Sequence, residues 1–164
     1  TPMEKVKVIN HILFKVHKFL SPTFRENMLN PQNAYLGSMF QNRKGNATSL
    51  GILYAIVAQK NNLPLYGVNL PRNFILAFMA DHKSKRERDV FFYVNPYNKG
   101  TVLGKREIDY FLAQNKLTPN KAFYTPCSNK ETIKRQLIDI LLSYEKLSYS
   151  EKIHDIKQLL RLFR

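Results

Sequence analysis

Apolar positions in the first twenty residues recur at steps of three and four: Val6, Ile9, Leu13, Val16 and Leu20. That spacing predicts an amphipathic helix over residues 4–20, with lysines on its other face. Pro22 and Pro31 then bound a loop, and a short helix is expected from about Gln32 to Gln41. After a Lys44-Gly45-Asn46 turn, Leu50, Leu53, Tyr54, Val57 and Ala58 fall on one helical face. They predict a buried helix over about Thr48 to Lys60, with Asn46, Thr48 or Ser49 as its cap. The composition next turns aromatic and β-branched. "PLYGVNL", "NFILAFM" and "VFFYVNP" read as strands, the last two as an antiparallel hairpin around "HKSKRER" at 82–88. "GKREIDYFLAQN" predicts another helix. Two final stripes, Ile133, Leu137, Ile140, Leu141, Tyr144 and Ile153, Ile156, Leu159, Leu160, Phe163, predict an antiparallel helical hairpin that looks like one tetratricopeptide-type unit.

The expected fold is therefore α+β: N-terminal helices, a buried helix packed on a small antiparallel sheet, then a helical hairpin. A division into a core over 1–120 and a hairpin over 121–164 follows from the change of pattern. With 164 residues, 44% of them hydrophobic, the chain can bury a real core. Its longest apolar runs, Ile52 to Ala58 and Phe74 to Ala80, fall far short of the ~20 residues that span a bilayer, so no membrane partner is expected. The lone Cys127 excludes an internal disulfide and suits a cytoplasmic setting. The chain begins with Thr1, not Met, and reads as a piece of a longer one.

Net charge is +14, from 26 Lys and Arg against 12 Asp and Glu. The excess is spread along the chain, and the densest basic run carries Glu87 within it, so it reads first as a solvated hairpin tip. Aromatics interleaved with basic residues at "RERDVFFYVNPYNKG" keep nucleic acid as a less favoured partner. His11 and His17 do not share a helical face, and no HxxxH, HxxE, carboxylate cluster or Gly-rich phosphate loop occurs. No metal or cofactor is expected.

Two stretches, "NPQNAYLGSMFQNRKGNATSLGILYAIVAQKNNLPLYGVNLPRNFILAF" and "VFFYVNPYNKGTVLGKREIDYFL", resemble the transglutaminase-like superfamily, most closely its bacterial SirB-type branch. The resemblance covers about 30–112, and the hairpin at 130–163 is similar to that branch's usual tail. In active members a cysteine opens the buried helix, a histidine sits in the next strand and an aspartate in the one after. Helix-end N–H groups stabilise a thiolate, the imidazole moves protons and the carboxylate orients it. Carried onto this chain, those positions fall on Ala47, Asn73 and Asn95. Ala47 has no attacking atom and neither asparagine titrates near neutral pH. A Thr48 or Ser49 hydroxyl would need a base that Asn73 cannot supply. The resemblance thus implies a non-catalytic module, binding a protein or peptide or acting in regulation. Its candidate binding residues are Asn46, Thr48, Ser49, Asn73, Asn95 and Tyr97, and Asn73 and Asn95 are able to hydrogen-bond to each other and keep strand geometry without chemistry. The alternatives are a hydrolase or acyl transferase with a non-standard site, and a basic nucleic-acid-binding domain.

Overall fold

The structure, a computed structural model, describes residues 1–163 apart from Phe24, Asn27, Met28 and Leu29. The first helix, α1 (Pro2–Asn10), continues through a π-helical turn at His11–Val16. A π turn takes more residues per turn, so the apolar stripe slips out of the 3.6-residue register. Val6, Ile9 and Leu13 are buried as their spacing requires, but Val16 and Leu20 face solvent and Phe19 enters the core instead. The expected second helix is split. A 3₁₀ turn at Pro31–Ala34 and α2 (Leu36–Asn42) are separated by Tyr35, whose extended backbone breaks the helix. The buried helix α3 (Ala47–Lys60) starts one residue before its predicted position.

Strands β1 (Leu65–Val68), β2 (Ile75–Met79), β3 (Val90–Asn95) and β4 (Thr101–Leu103) form an antiparallel meander in sequence order. The two faces of the sheet carry different layers. Leu65, Leu76, Phe78 and Val94 point toward Leu50, Leu53 and Tyr54 of α3 and the stripe of α1. Val68, Ile75, Ala77 and Tyr93 meet Ile108 and Leu112 of α4 (Lys105–Gln114). Every residue of β2 is therefore buried, which is why it reads as a continuous apolar run rather than an alternation. The β2–β3 register shifts at Phe78/Met79, which leaves Phe91 unpaired and largely exposed at the bulge.

Phe74 locks helix to sheet. Its ring is fully buried, and a Cβ built on Gly51 of α3 or Gly67 of β1 would come within 2.4 Å of it. Both glycines are thus required by close approach. A second tie runs from Tyr54 Oη, which donates to Asn10 Oδ1 at 2.8 Å, while Asn10 Nδ2 donates to Gly100 O at 2.9 Å.

The tail helices α5 (Asn129–Leu147) and α6 (Ser150–Arg161) form the expected hairpin, joined by Ile140, Tyr144 and Ile156. Helix α5 also docks on the rest of the chain. Arg135 Nε bonds Asp139 Oδ1 at 3.0 Å one turn on, and Thr48 Oγ1 donates to Asp139 Oδ2 at 2.6 Å. Arg135 further donates to Asn69 Oδ1, to Leu70 O at 3.3 Å and to Asn73 O at 3.3 Å. Buried Gln136 donates to Ala34 O.

Two stability predictions follow from these contacts. Gly51→Ala should lower the urea midpoint, because overpacking against Phe74 (about 1–3 kcal/mol) outweighs the better helix propensity of alanine (about 1 kcal/mol). A raised midpoint would show that the ring yields. Asp139→Ala strands Arg135, whose side chain is 16% exposed, and should cost about 3 kcal/mol in the same titration. Arg135→Ala in that background should then cost much less than it does alone, and simple additivity would contradict the coupling.

Candidate functional site

Ala47 is the first residue of α3, and the side chain of Asn46 caps that end by accepting the Ser49 N–H at 2.7 Å. Asparagine is a strong cap because its short amide reaches the otherwise orphaned N–H groups of the first turn. The two hydroxyls that follow are committed inside the protein. Ser49 is fully buried and its Oγ lies 2.9 Å from Asn33 O and 3.2 Å from Asn46 O, two carbonyls to which it donates. Thr48 is equally buried and donates to Asp139. A hydroxyl beside a carboxylate has a formal base, but Thr48 presents no surface to a substrate, and Asp139 is held by Arg135.

Asn73 lies two residues before β2, in the turn closed by its N–H on Leu70 O at 3.1 Å, not within the strand. Its Oδ1 accepts the Phe74 N–H at 2.8 Å. Asn95 ends β3, and its Oδ1 is buried with no hydrogen-bond partner. The Asn73–Asn95 hydrogen bond that the sequence allowed is not made: Asn73 Oδ1 accepts the Phe74 N–H and Asn95 Oδ1 has no partner. Tyr97 Oη donates to Pro22 O at 2.7 Å, and burial, then Glu26, pushes the phenol above its ordinary pKa. Tyr97 thus anchors the loop before α2.

A cleft of about 820 Å³ opens where α3 begins. Ala47 and Asn46 line it, joined by Asn69 and Arg72 from the β1–β2 turn, Asn115 beyond α4, and Arg135 and Asp139 from α5. Asn73, Asn95 and Tyr97 are not among its lining residues, so of the sequence candidates it gathers only Asn46 and the Ala47 position. The cleft is walled by the start of α3, the β1–β2 turn and α5, whose Asp139 accepts from Thr48 at 2.6 Å. Arg72, Arg135, Asp139 and Asn115 were missed from sequence. The only signal was the four-residue spacing of Arg135 and Asp139, which by itself describes an ordinary solvent-facing helix pair.

Elsewhere the chemistry is subdued. Burial pushes the Cys127 thiol above its ordinary pKa, and its Sγ sits 3.4 Å from Thr132 Oγ1. Among the described residues no three His, Cys, Asp or Glu side chains gather as a metal site. No described helix is long and apolar enough to cross a membrane. At the hairpin tip, Arg86 pairs with Asp89 at 2.7 Å and Lys105 with Glu87 at 2.6 Å, so part of the basic run is neutralised internally.

Comparison with known proteins agrees with this architecture. Residues 1–138 match the Transglut_core2 family, described as transglutaminase-like superfamily. The chain is 28% identical over 155 residues to F-box only protein 21 of Mus musculus, an alignment covering 93% of this chain and 23% of that protein. It is 29% identical over 104 residues to a UPF0162 protein of Xylella fastidiosa, covering 63% of this chain and 34% of the relative. A UPF0162 protein of Buchnera aphidicola subsp. Baizongia pistaciae is 33% identical over 112 residues, covering 66% and 39%. The chain thus spans less than half the length of each of these relatives. No solved structure matches it. A family match over most of its length, on a buried helix packed against an antiparallel sheet, makes this chain a member of the transglutaminase-like superfamily.

Proposed function

We propose that this chain is a non-catalytic transglutaminase-like module that binds a protein or peptide segment in the cleft beside Ala47. The observation that carries this reading is the cleft itself: roomy and polar, it opens at the helix start where active members hold their thiolate, yet offers a methyl group there. Ligand sites typically occupy about 300–1,000 Å³ and combine apolar walls with a few fixed polar groups, and this cleft has both. Support for the absence of chemistry comes from the two neighbouring hydroxyls, each buried and spent in an internal hydrogen bond. Cys127 supports it too, since a buried thiol with a raised pKa is a poor nucleophile. Placement in the SirB-type branch is part of the same reading and draws on the UPF0162 relatives. The α5–α6 hairpin is read as a tetratricopeptide-like tail, and a cytoplasmic setting suits the single thiol.

The test has a catalytic and a binding arm. Incubated with glutamine-bearing peptides and with activated esters, the protein should turn over neither faster than buffer does. Turnover abolished by Ser49→Ala or Cys127→Ser would overturn the reading. In the binding arm, a displayed peptide library should yield ligands whose binding is lost in Ala47→Trp, a variant that fills the cleft from the half-buried start of α3. Ligands indifferent to that substitution would place the binding surface elsewhere.

A further inference from the structure

The asparagines of the cleft share an orientation that hydrogen bonding dictates. Asn46 Oδ1 accepts the Ser49 N–H, Asn30 Oδ1 accepts the Gln32 N–H at 3.0 Å, and Asn115 Oδ1 accepts from Arg72 Nη1 at 3.0 Å. Asn69 Oδ1 accepts from Arg135 Nη1. An N–H or guanidinium can only donate, so in each case the amide oxygen must face its internal partner and the NH₂ is the end left over. One of these, Asn115 Nδ2, gives a proton to Phe111 O at 2.8 Å and keeps a second. The carboxylate of Asp139 has one oxygen on Thr48 and the other on Arg135. Each side-chain oxygen of these asparagines and of Asp139 thus already accepts one internal hydrogen bond, and the Ser143 hydroxyl donates its proton to Asp139 O at 3.0 Å.

Charge has the same sign. Arg72, Arg135 and Lys146 line the cleft against the single carboxylate of Asp139, which Arg135 offsets. Lys146 is exposed in the last turn of α5 and makes no ion pair among the described residues. Arg72 is held in place: its backbone is left-handed, at φ +60°, and its guanidinium is fixed on Asn115. Beside these donors lie Phe111, Ile138 and Leu142, the last 50% exposed. A wall of donors and cations against an apolar strip asks for a ligand that alternates carboxylates with apolar side chains. Nucleic acid would set phosphates on the same donors and a base on Phe111, but the aliphatic Ile138 and Leu142 suit apolar side chains better than the polar edges of bases.

We infer that the cleft beside Ala47 selects an acidic peptide segment, its carboxylates taken by Arg72, Lys146 and the asparagine NH₂ groups and its apolar side chains laid on Phe111, Ile138 and Leu142. This rests on the binding reading above and adds to it the chemical class of the ligand. Charge-assisted hydrogen bonds are about twice as strong as neutral ones, so the two cations should dominate selectivity.

The probes are fluorescein-labelled short peptides of alternating glutamate and leucine, glutamine and leucine, and lysine and leucine, with labelled oligothymidylate as a fourth. Anisotropy titrations at physiological salt should rank the glutamate peptide at least tenfold above the glutamine one, with no saturable binding of the lysine peptide. Arg72→Ser and Lys146→Ser should each weaken the glutamate peptide about tenfold, whereas Lys83→Ser with Lys85→Ser, on the distant hairpin tip, should leave it unchanged. In ¹⁵N spectra the side-chain NH₂ signals of Asn46 and Asn69 should shift on binding. A glutamine or lysine peptide that binds best and shifts those signals would overturn the acidic preference and leave the cleft reading standing. Oligothymidylate binding more tightly than the glutamate peptide, and lost in Arg72→Ser, would replace the peptide by nucleic acid. If no probe shifts the Asn46 and Asn69 signals, the acidic preference and the cleft reading fall together.

Discussion

The hydrogen-bonded line from Thr48 through Asp139 to Arg135 fixes the relative position of three parts of the chain that sequence keeps far apart. Thr48 stands at the start of α3, Asp139 and Arg135 one turn apart on α5, and Arg135 reaches the turn between β1 and β2. Both charged side chains are more than four-fifths buried, which makes their mutual geometry demanding: a pair so placed repays its desolvation only when the remaining donors and acceptors are also satisfied. Here they are. The guanidinium spends its other nitrogens on Asn69, Leu70 O and Asn73 O, and the carboxylate spends its second oxygen on Thr48. Moving α5 by even an ångström would break several of these bonds together, so the line specifies one docking of the tail. The cleft lies between the same three parts: the start of α3, the β1–β2 turn and α5.

Much of the fold was readable from the sequence because local pattern and burial agree. The stripe of Leu50, Leu53 and Tyr54 gave α3, and the aromatic and β-branched runs gave β1, β2 and β3 within two residues of their observed ends. Disagreements have local causes. Val16 and Leu20 sit where a regular helix would bury them, but the π turn at His11–Val16 shifts the face. Strand β4 is three residues long, between Gly100 and Gly104, and such a segment is too short to show a period. The site was less legible. Ala47 and its Asn46 cap were found because a capped helix start is a local feature. Arg135 and Asp139 were not, because their partners lie 62 to 91 residues away along the chain. Asn69, Arg72 and Asn115 owe their roles to which way an amide or guanidinium points, and no pattern of residue types encodes that.

The molecule keeps the superfamily's framework while altering what it presents. In an active site of this class, the buried helix aims its N–H groups at a thiolate and the neighbouring strands bring base and orienter. Here the helix start still faces a cleft, but the first residue is alanine, Asn73 accepts the Phe74 N–H and Asn95 carries an unpartnered oxygen. Arg72, Arg135 and Lys146 line the cleft beside a helix N-terminus, a combination that favours negative charge. Such a field serves a binding site as well as it would a thiolate. The chain covers 23% to 39% of the length of these relatives.

The field at the start of α3 is the central physical claim, and a thiol placed there reports it directly. In a Cys127→Ser background, the ionisation of the new thiol in Ala47→Cys is followed by its rate of alkylation with iodoacetamide against pH. A helix N-terminus and nearby cations lower a thiol from its ordinary ~8.5 to roughly 7 or below. The expected value is at least one unit below 8.5, returning toward it when Arg72→Ser and Lys146→Ser are added. A thiol that titrates at or above ~8.5, indifferent to both cations, would contradict the account.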